Sequence, residues 1–78
     1  MGLVKYNSKR RLYLSVGEEV IHTSYPEWGV GHVIEEMNSM VPGGISLVRI
    51  EFSHAGEKTF NNDIDSDLCC YFAGIRRH

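Results

Sequence analysis

The chain has 78 residues, of which 42% are apolar and 23% are charged, and its formal net charge is -2. Since domains usually have about 100 to 150 residues, this length allows one domain with a small core and little room for a deep catalytic pocket. The composition excludes disorder of the whole chain. The net charge argues against a protein that simply coats nucleic acid or an anionic membrane.

Charge is unevenly distributed along the chain. Residues 1–11 carry four basic side chains and no acid, residues 12–67 have a net charge of -8, and residues 68–78 have a net charge of +2. This pattern predicts an acidic body with basic ends. No apolar run approaches the ~18 residues of a membrane span, and nothing resembles a secretory signal, so we expect a cytoplasmic protein without membrane contact.

Two short strands are predicted at the start of the body. Leu12, Leu14 and Val16 alternate with other residues, which is typical of a strand with one buried face, and Gly17 ends this pattern. Residues 18–23 are rich in β-branched side chains and predict the second strand.

Two glycines mark the next segment. A turn at residues 24–27 leads into a strand-like run at residues 28–37, which Gly29 and Gly31 interrupt. In a strand, such glycines mark a bulge, a bend or a close backbone approach. Because a small barrel needs a bend to close, the fold prediction depends on these two residues.

The clearest strand pattern lies at residues 45–52, after a loop at residues 38–44. Val48, Ile50 and Phe52 alternate with charged residues, which predicts one buried and one exposed face.

The remaining predicted elements are short. Residues 53–56 suit a hairpin connection in which Gly56 adopts positive φ, and residues 58–60 resume a strand. Residues 64–68 suit one helical turn that plugs an open end of the barrel.

Four or five short strands joined by turns, with no amphipathic stretch of helical length, predict an all-β fold. We expect a small SH3-like (Tudor-like) barrel of about five antiparallel strands at residues 11–68. A flexible basic arm at residues 1–10 precedes it, and a C-terminal tail at residues 69–78 follows it.

The spacing of the histidines and cysteines does not predict a metal site. His22, His32 and His54 are isolated in sequence, whereas zinc ligands usually occur in pairs two to five residues apart. Cys69 and Cys70 are adjacent, which prevents both thiolates from reaching one ion and would strain a disulfide. We expect surface or turn histidines, reduced thiols, no metal and no cofactor.

Catalysis is an alternative that the sequence does not favour. His54 could act as a general base that Glu57 orients, or Cys69 could act as a nucleophile. General-base catalysis also needs a third group and a cavity that excludes water. A small barrel fills its interior with side chains. The glycines at 29 and 31 lack the third glycine and the following helix of a phosphate-binding loop. We therefore expect a protein that is not an enzyme.

The basic arm supplies a second functional hypothesis. Tyr6 and Tyr13 lie between and just after the basic residues, and nucleic-acid-binding sites use this combination of side chains. The basic residues are Lys5, Lys9, Arg10 and Arg11. The acidic body would repel phosphate unless the arm reaches away from it, and a solvated terminus is the other interpretation. A small nucleic-acid-binding protein is therefore the alternative prediction.

Tyr25 and Trp28, on either side of Pro26, are candidate contact residues. Exposed aromatic side chains anchor interfaces and line grooves for extended peptides. A tryptophan beside glycine also packs as a lid over a small core. We favour the lid for Trp28 and the interface for Tyr25.

Two motifs resemble a known pattern. Residues 26–33 contain proline followed by Trp-Gly-x-Gly-x-Val, and residues 52–58 contain Phe-x-His-Ala-Gly-x-Lys. Over residues 17–61 the chain resembles a family of short, uncharacterised bacterial proteins. More distantly, it is similar to the Tudor-like domains at the C-termini of UvrD/PcrA-type helicases and to the RNA-polymerase-interacting domains of CarD and the transcription-repair coupling factor.

This resemblance implies a five-stranded, strongly bent sheet in a non-enzymatic protein-binding module. The implied partner is RNA polymerase or another transcription or DNA-repair assembly, bound through an exposed strand edge, whose unpaired backbone groups a partner's strand can satisfy. The loop at 38–44 is longer than the pattern predicts, and the oligomeric state stays open. The candidate partner-binding residues are Tyr25, Trp28, His32, Arg49 and His54.

Overall fold

The computed structural model describes residues 12–39 and 44–78. The described strands are β1 (Glu19–His22), β2 (Gly31–Asn38), β3 (Ser46–Phe52), β4 (Gly56–Asn61) and β5 (Ile75–Arg77). A 3-10 helix (Pro26–Trp28) follows β1, and the short helix α1 (Cys70–Ala73) precedes β5.

The five strands form one antiparallel sheet in the order β4-β3-β2-β1-β5. The sheet curls into a half-barrel, so the rings of His22 on β1 and Phe60 on β4 lie 6.0 Å apart although β2 and β3 separate these strands. The prediction of a small all-β barrel of about five antiparallel strands is confirmed.

The alternating pattern of β3 supplies the centre of the core. Val48, Ile50 and Phe52 are buried, as predicted, while Arg49 and Glu51 lie on the other face. The buried apolar side chains of the described residues are Leu12, Leu14, Val20, Val33, Val48, Ile50, Phe52, Cys69, Cys70 and Ile75.

Gly31 begins β2 at a point where its backbone passes directly over core side chains. A Cβ atom at this position would lie 2.6 Å from Ile50 Cγ2 and 2.7 Å from Phe52 Cε1, closer than real Cβ contacts allow. Of the three roles expected for this glycine, the structure shows the close backbone approach. The register irregularity between β2 and β3 lies further along, between Val33 and Glu35.

The segment before β1 differs from the predicted strand. The side-chain amide of Asn62 bonds both backbone groups of Leu14, whose N–H donates to Oδ1 (2.8 Å) and whose C=O accepts from Nδ2 (2.9 Å). These bonds replace a sheet ladder. Leu12 and Leu14 are buried, as the alternation predicted, but Val16 lies in a turn and is 56% exposed.

Residues 69–78, which we predicted as a tail, are part of the barrel. Cys69, Cys70 and Ile75 contribute to the core, and β5 pairs with β1. The strand predicted at residues 12–16 is thus absent, and β5 takes the fifth place in the sheet.

The helical turn predicted at residues 64–68 is not formed. Asp63 Oδ1 accepts the Asp65 N–H, and Ser66 Oγ accepts the Leu68 N–H. Such bonds from short polar side chains to nearby backbone compete with helix formation, and they explain why turns occupy this segment.

The predicted arm at residues 1–10 and part of the predicted loop at 38–44 lie outside the described residues. In the part of the chain that the structure describes, no helix combines the length and the apolar character needed to cross a membrane.

Candidate functional site

The outer side of β4 is the longest open edge of the described sheet. The Asn62 N–H donates to the Ser46 C=O (2.8 Å), which marks a hydrogen-bonded position just beyond β4. Because bonded and non-bonded positions alternate in an antiparallel pair, Lys58 and Phe60 direct their backbone groups towards β3. The residues that alternate with Lys58 and Phe60 direct their backbone N–H and C=O groups away from the sheet. We call these residues the β4 edge: Glu57, Thr59 and Asn61.

No strand among the described residues pairs with the β4 edge. The opposite outer strand, β5, has only three residues. The guanidinium of Arg77 on β5 donates to Glu18 Oε1 (2.6 Å) and to the Tyr13 C=O (2.8 Å). These bonds fix the segment that precedes β1 beside β5. Short edge strands offer little backbone for pairing, so β4 is the edge that a partner can extend.

An aromatic cluster lies at the end of the barrel where β4 begins. Its members are His22, Tyr25, Trp28, Phe52 and Phe60. The Trp28 ring is stacked on Tyr25, with centroids 4.6 Å apart. It is T-shaped with the His22 and Phe52 rings, with centroids 4.9 and 5.1 Å apart. Such arrangements stabilise aromatic pairs beyond their buried area.

Trp28 and Tyr25 differ in exposure. Trp28 is half-buried and packs against the core, which confirms the expectation of a lid. Tyr25 covers one face of Trp28 but is itself 47% exposed. The interface role of Tyr25 stays a prediction.

Lys58 and His54 connect the aromatic cluster to β4. The Lys58 ammonium lies 5.1 Å from the centroid of the Trp28 ring, a cation–π geometry. His54 lies in the hairpin before β4, and its backbone N–H donates to the Trp28 C=O (2.9 Å). Tyr25, Trp28, Lys58 and His54 therefore form one continuous surface beside the β4 edge, which we call the aromatic surface.

The prediction of His22 as a surface or turn histidine is wrong, because the residue is buried at 4% exposure. Its Nδ1 accepts the Ser24 N–H (3.1 Å). Burial lowers the pKa of the imidazole, and the nearby Glu27 carboxylate opposes this effect only in part. The signal that could have found it is its position two residues after Val20, on the same face of a predicted strand.

His32 and Arg49 lie on the outer face of the sheet, away from the aromatic surface. His32 Nε2 lies 3.1 Å from a Glu19 carboxylate oxygen. The Arg49 guanidinium lies 2.7 Å from Glu35 and 3.9 Å from Glu57. The five predicted partner-binding residues therefore divide into two groups: Tyr25, Trp28 and His54 beside the cluster, and His32 and Arg49 on the outer face.

The two cysteines are free and buried. Cys69 Sγ donates to the Leu12 C=O (3.2 Å), and burial, together with the neighbouring Cys69, raises the pKa of Cys70 to about 12. Thiols in such an environment are inert rather than nucleophilic.

Within residues 12–39 and 44–78 there is no cavity, and no group of three or more His, Cys, Asp or Glu side chains could hold a metal ion. The basic residues of the nucleic-acid hypothesis lie outside the described residues, so that hypothesis stays a prediction. They are Lys5, Lys9, Arg10 and Arg11.

Comparison with known proteins gives one family. A family model described as Protein of unknown function (DUF3553) matches residues 14–65, two thirds of the chain. No curated protein and no solved structure matches the chain. The matched region includes β1 to β4, and with them the β4 edge and the aromatic surface.

Proposed function

We propose that this chain, which belongs to the DUF3553 family, is a non-enzymatic module that binds another protein through the β4 edge and the aromatic surface. The observation that carries the proposal is the open edge of β4, a six-residue strand at the border of the sheet with no partner among the described strands. An extended segment of a partner would add there as a further strand and satisfy the outward N–H and C=O groups.

The aromatic surface gives this edge an anchor. Binding energy in protein interfaces is concentrated in a few residues, among which tyrosine and tryptophan are enriched. Tyr25 is held in place by stacking on Trp28, and Trp28 is fixed by the core. An anchor that is already ordered loses little conformational entropy when a partner binds.

The proposed partner class is RNA polymerase or another transcription or DNA-repair assembly. This choice comes from the resemblance of the motifs at residues 26–33 and 52–58. The first motif supplies Trp28, the second supplies His54 and the start of β4, and the bond from the His54 N–H to the Trp28 C=O joins them. The two motifs therefore supply Trp28, His54 and Lys58 to the aromatic surface, and Tyr25 lies directly before the first motif.

Substitution of Thr59 tests the proposal. Thr59→Pro removes an N–H that points away from β3, so it blocks strand addition while leaving the β3–β4 bonds in place, and proline is tolerated at such edge positions. Thr59→Val is the matched control, because it keeps the N–H and suits a strand. Both variants and the wild type would be immobilised and exposed to a nuclease-treated bacterial lysate, and the retained proteins identified by mass spectrometry.

We expect the wild type and Thr59→Val to retain RNA polymerase subunits, and Thr59→Pro to lose them. Equal retention by all three proteins would contradict binding through the β4 edge. Loss of all bound material after nuclease treatment would instead favour the nucleic-acid hypothesis. Edge-dependent retention of a different protein would keep the binding function and replace the polymerase as its partner.

A further inference from the structure

A row of three acidic side chains and one histidine runs across the outer face of the sheet and ends with two adjacent glutamates at the β4 edge. Direct cross-strand pairing places Glu19 beside His32, His32 beside Glu51, and Glu51 beside Glu57. The next row of cross-strand pairs, Val20, Gly31 and Phe52, is buried in the core. Since side chains alternate between the two faces along a strand, the row of acidic side chains and histidine lies on the face opposite the core. Like charges directly opposite each other destabilise a sheet.

The charge at the end of this row has little compensation among the described residues. Arg49 forms its short ion pair with Glu35 at 2.7 Å and reaches Glu57 only at 3.9 Å. The Glu57 side chain is 57% exposed, and its backbone belongs to the open edge. The outermost carboxylate of the row therefore lies where the next strand of the sheet would place a neighbouring side chain.

The inner face of the same strand has a different character. Lys58 lies over Trp28, so its charge already faces an aromatic ring, and the half-buried Phe60 packs against the core. Side chains on this side of an added strand would contact aromatic and methylene groups. Alternate residues of a bound segment would thus meet acidic surroundings on one side and apolar surroundings on the other.

We propose that the β4 edge selects an extended basic segment, with Lys or Arg on the side that faces Glu57 and apolar residues on the side that faces Lys58 and Phe60. This inference rests on the proposed function and specifies its partner's chemistry. A cation opposite Glu57 would lie within about 5 Å of it in an antiparallel pair and relieve its repulsion with Glu51. An acidic segment would be rejected at the same position, which protects the open edge from unselective pairing.

Three short fluorescent peptides test this selection by fluorescence anisotropy. The first alternates Lys and Val, the second alternates Glu and Val, and the third has the composition of the first with the lysines in one block. Since the body is acidic, the third peptide measures general electrostatic attraction. We expect the alternating Lys peptide to bind at least about fivefold more tightly than either of the others.

Charge reversal at the edge provides the decisive comparison. Glu57→Lys should reverse the preference, so that the alternating Glu peptide binds more tightly than the alternating Lys peptide. Asp67→Lys makes the same change in net charge in the segment between β4 and α1, and it should keep the original preference. Equal effects of Glu57→Lys and Asp67→Lys would overturn the inference. The inference would also fail if the third peptide, whose lysines form one block, bound the wild type as tightly as the alternating Lys peptide.

The Thr59→Pro variant separates this inference from the proposed function. If the two alternating peptides bind the wild type equally and Thr59→Pro abolishes both, edge binding stands and the basic partner is wrong. If Thr59→Pro changes the binding of no peptide, the basic-segment inference and the proposed binding through the β4 edge are both contradicted. A urea unfolding curve for each variant shows whether it is folded before its binding is interpreted.

Discussion

Asn62 fixes the backbone of Leu14 through both polar ends of its side-chain amide. The Leu14 N–H donates to Oδ1 and the Leu14 C=O accepts from Nδ2, and both residues are fully buried. One side chain thereby takes the place of a strand for the segment that precedes β1. This contact explains how apolar residues enter the core without joining the sheet.

Asn62→Ala should destabilise the barrel by roughly 3 kcal/mol, because it leaves two buried backbone groups of Leu14 unpaired at about 1–3 kcal/mol each. The free energy of unfolding in urea measures the loss. Asn61→Ala is the control, since Asn61 is half-buried and its Oδ1 accepts only the Asp63 N–H. Equal losses in the two variants would show that the bonds to Leu14 contribute nothing specific.

Gly31→Ala should lower the free energy of unfolding by about 2 kcal/mol, since an added methyl group in a packed core forces its neighbours to move. The reason is contact with Ile50 and Phe52 rather than backbone strain, because Gly31 is not one of the described glycines that have positive φ. Thermal or urea unfolding checks the value. An unchanged midpoint would mean that the backbone of β2 does not approach the core as described.

Local patterns predicted much of this fold, while non-local contacts determined the rest. The alternation of Val48, Ile50 and Phe52 predicts β3, and Gly56 predicts the hairpin that follows it. The strand and the hairpin both depend on residues that are near in sequence. The strand β5 has no such pattern. It forms by pairing with β1, where Val20, Ile21 and His22 lie opposite the three residues of β5.

The candidate site divides in the same way. Tyr25, Trp28 and His54 could be predicted from turn chemistry and motif resemblance, and the structure brings them to one end of the barrel. The identity of the open edge could not be predicted, because it depends on β5 returning to β1 and leaving β4 at the border. The role of Lys58 depends on the curl of the sheet, which places its ammonium over Trp28.

The stability of the protein should fall as the pH decreases from about 7.5 to 5.5. Burial lowers the pKa of His22 in the folded protein below its ordinary value of 6.5, so the unfolded chain binds a proton more readily in this range. The contribution of His22 is complete well above pH 6.5, where the unfolded chain is also unprotonated at this residue, and it is lost as the pH falls through 6.5 towards the folded pKa.

His22→Asn tests this assignment, because its side-chain oxygen can still accept the Ser24 N–H but does not titrate. Urea unfolding at several pH values should give a flatter dependence for the variant than for the wild type. This window lies above the pKa of Glu18 and of Glu36, which hydrogen bonds lower from the ordinary value of 4.5. The same slope in both proteins would contradict a titrating His22 inside the aromatic cluster.

Both cysteines should resist alkylation in the folded protein. Cys69 and Cys70 are fully buried, and burial raises the pKa of Cys70 to about 12, so very little of its reactive thiolate exists near neutral pH. Iodoacetamide labelling followed by mass spectrometry should be slow in buffer and fast in denaturant. Equal labelling rates in both conditions would contradict the placement of residues 69–78 in the barrel.

Amide hydrogen exchange along β4 tests the central claim, that this strand presents an open edge to a partner. In the free protein at low concentration, the Lys58 and Phe60 amides should exchange slowly because they bond to β3. The Glu57 and Thr59 amides should exchange much faster because they point into solvent. Protection of Thr59 equal to that of Lys58 would show that the edge is already paired, and it would contradict the account.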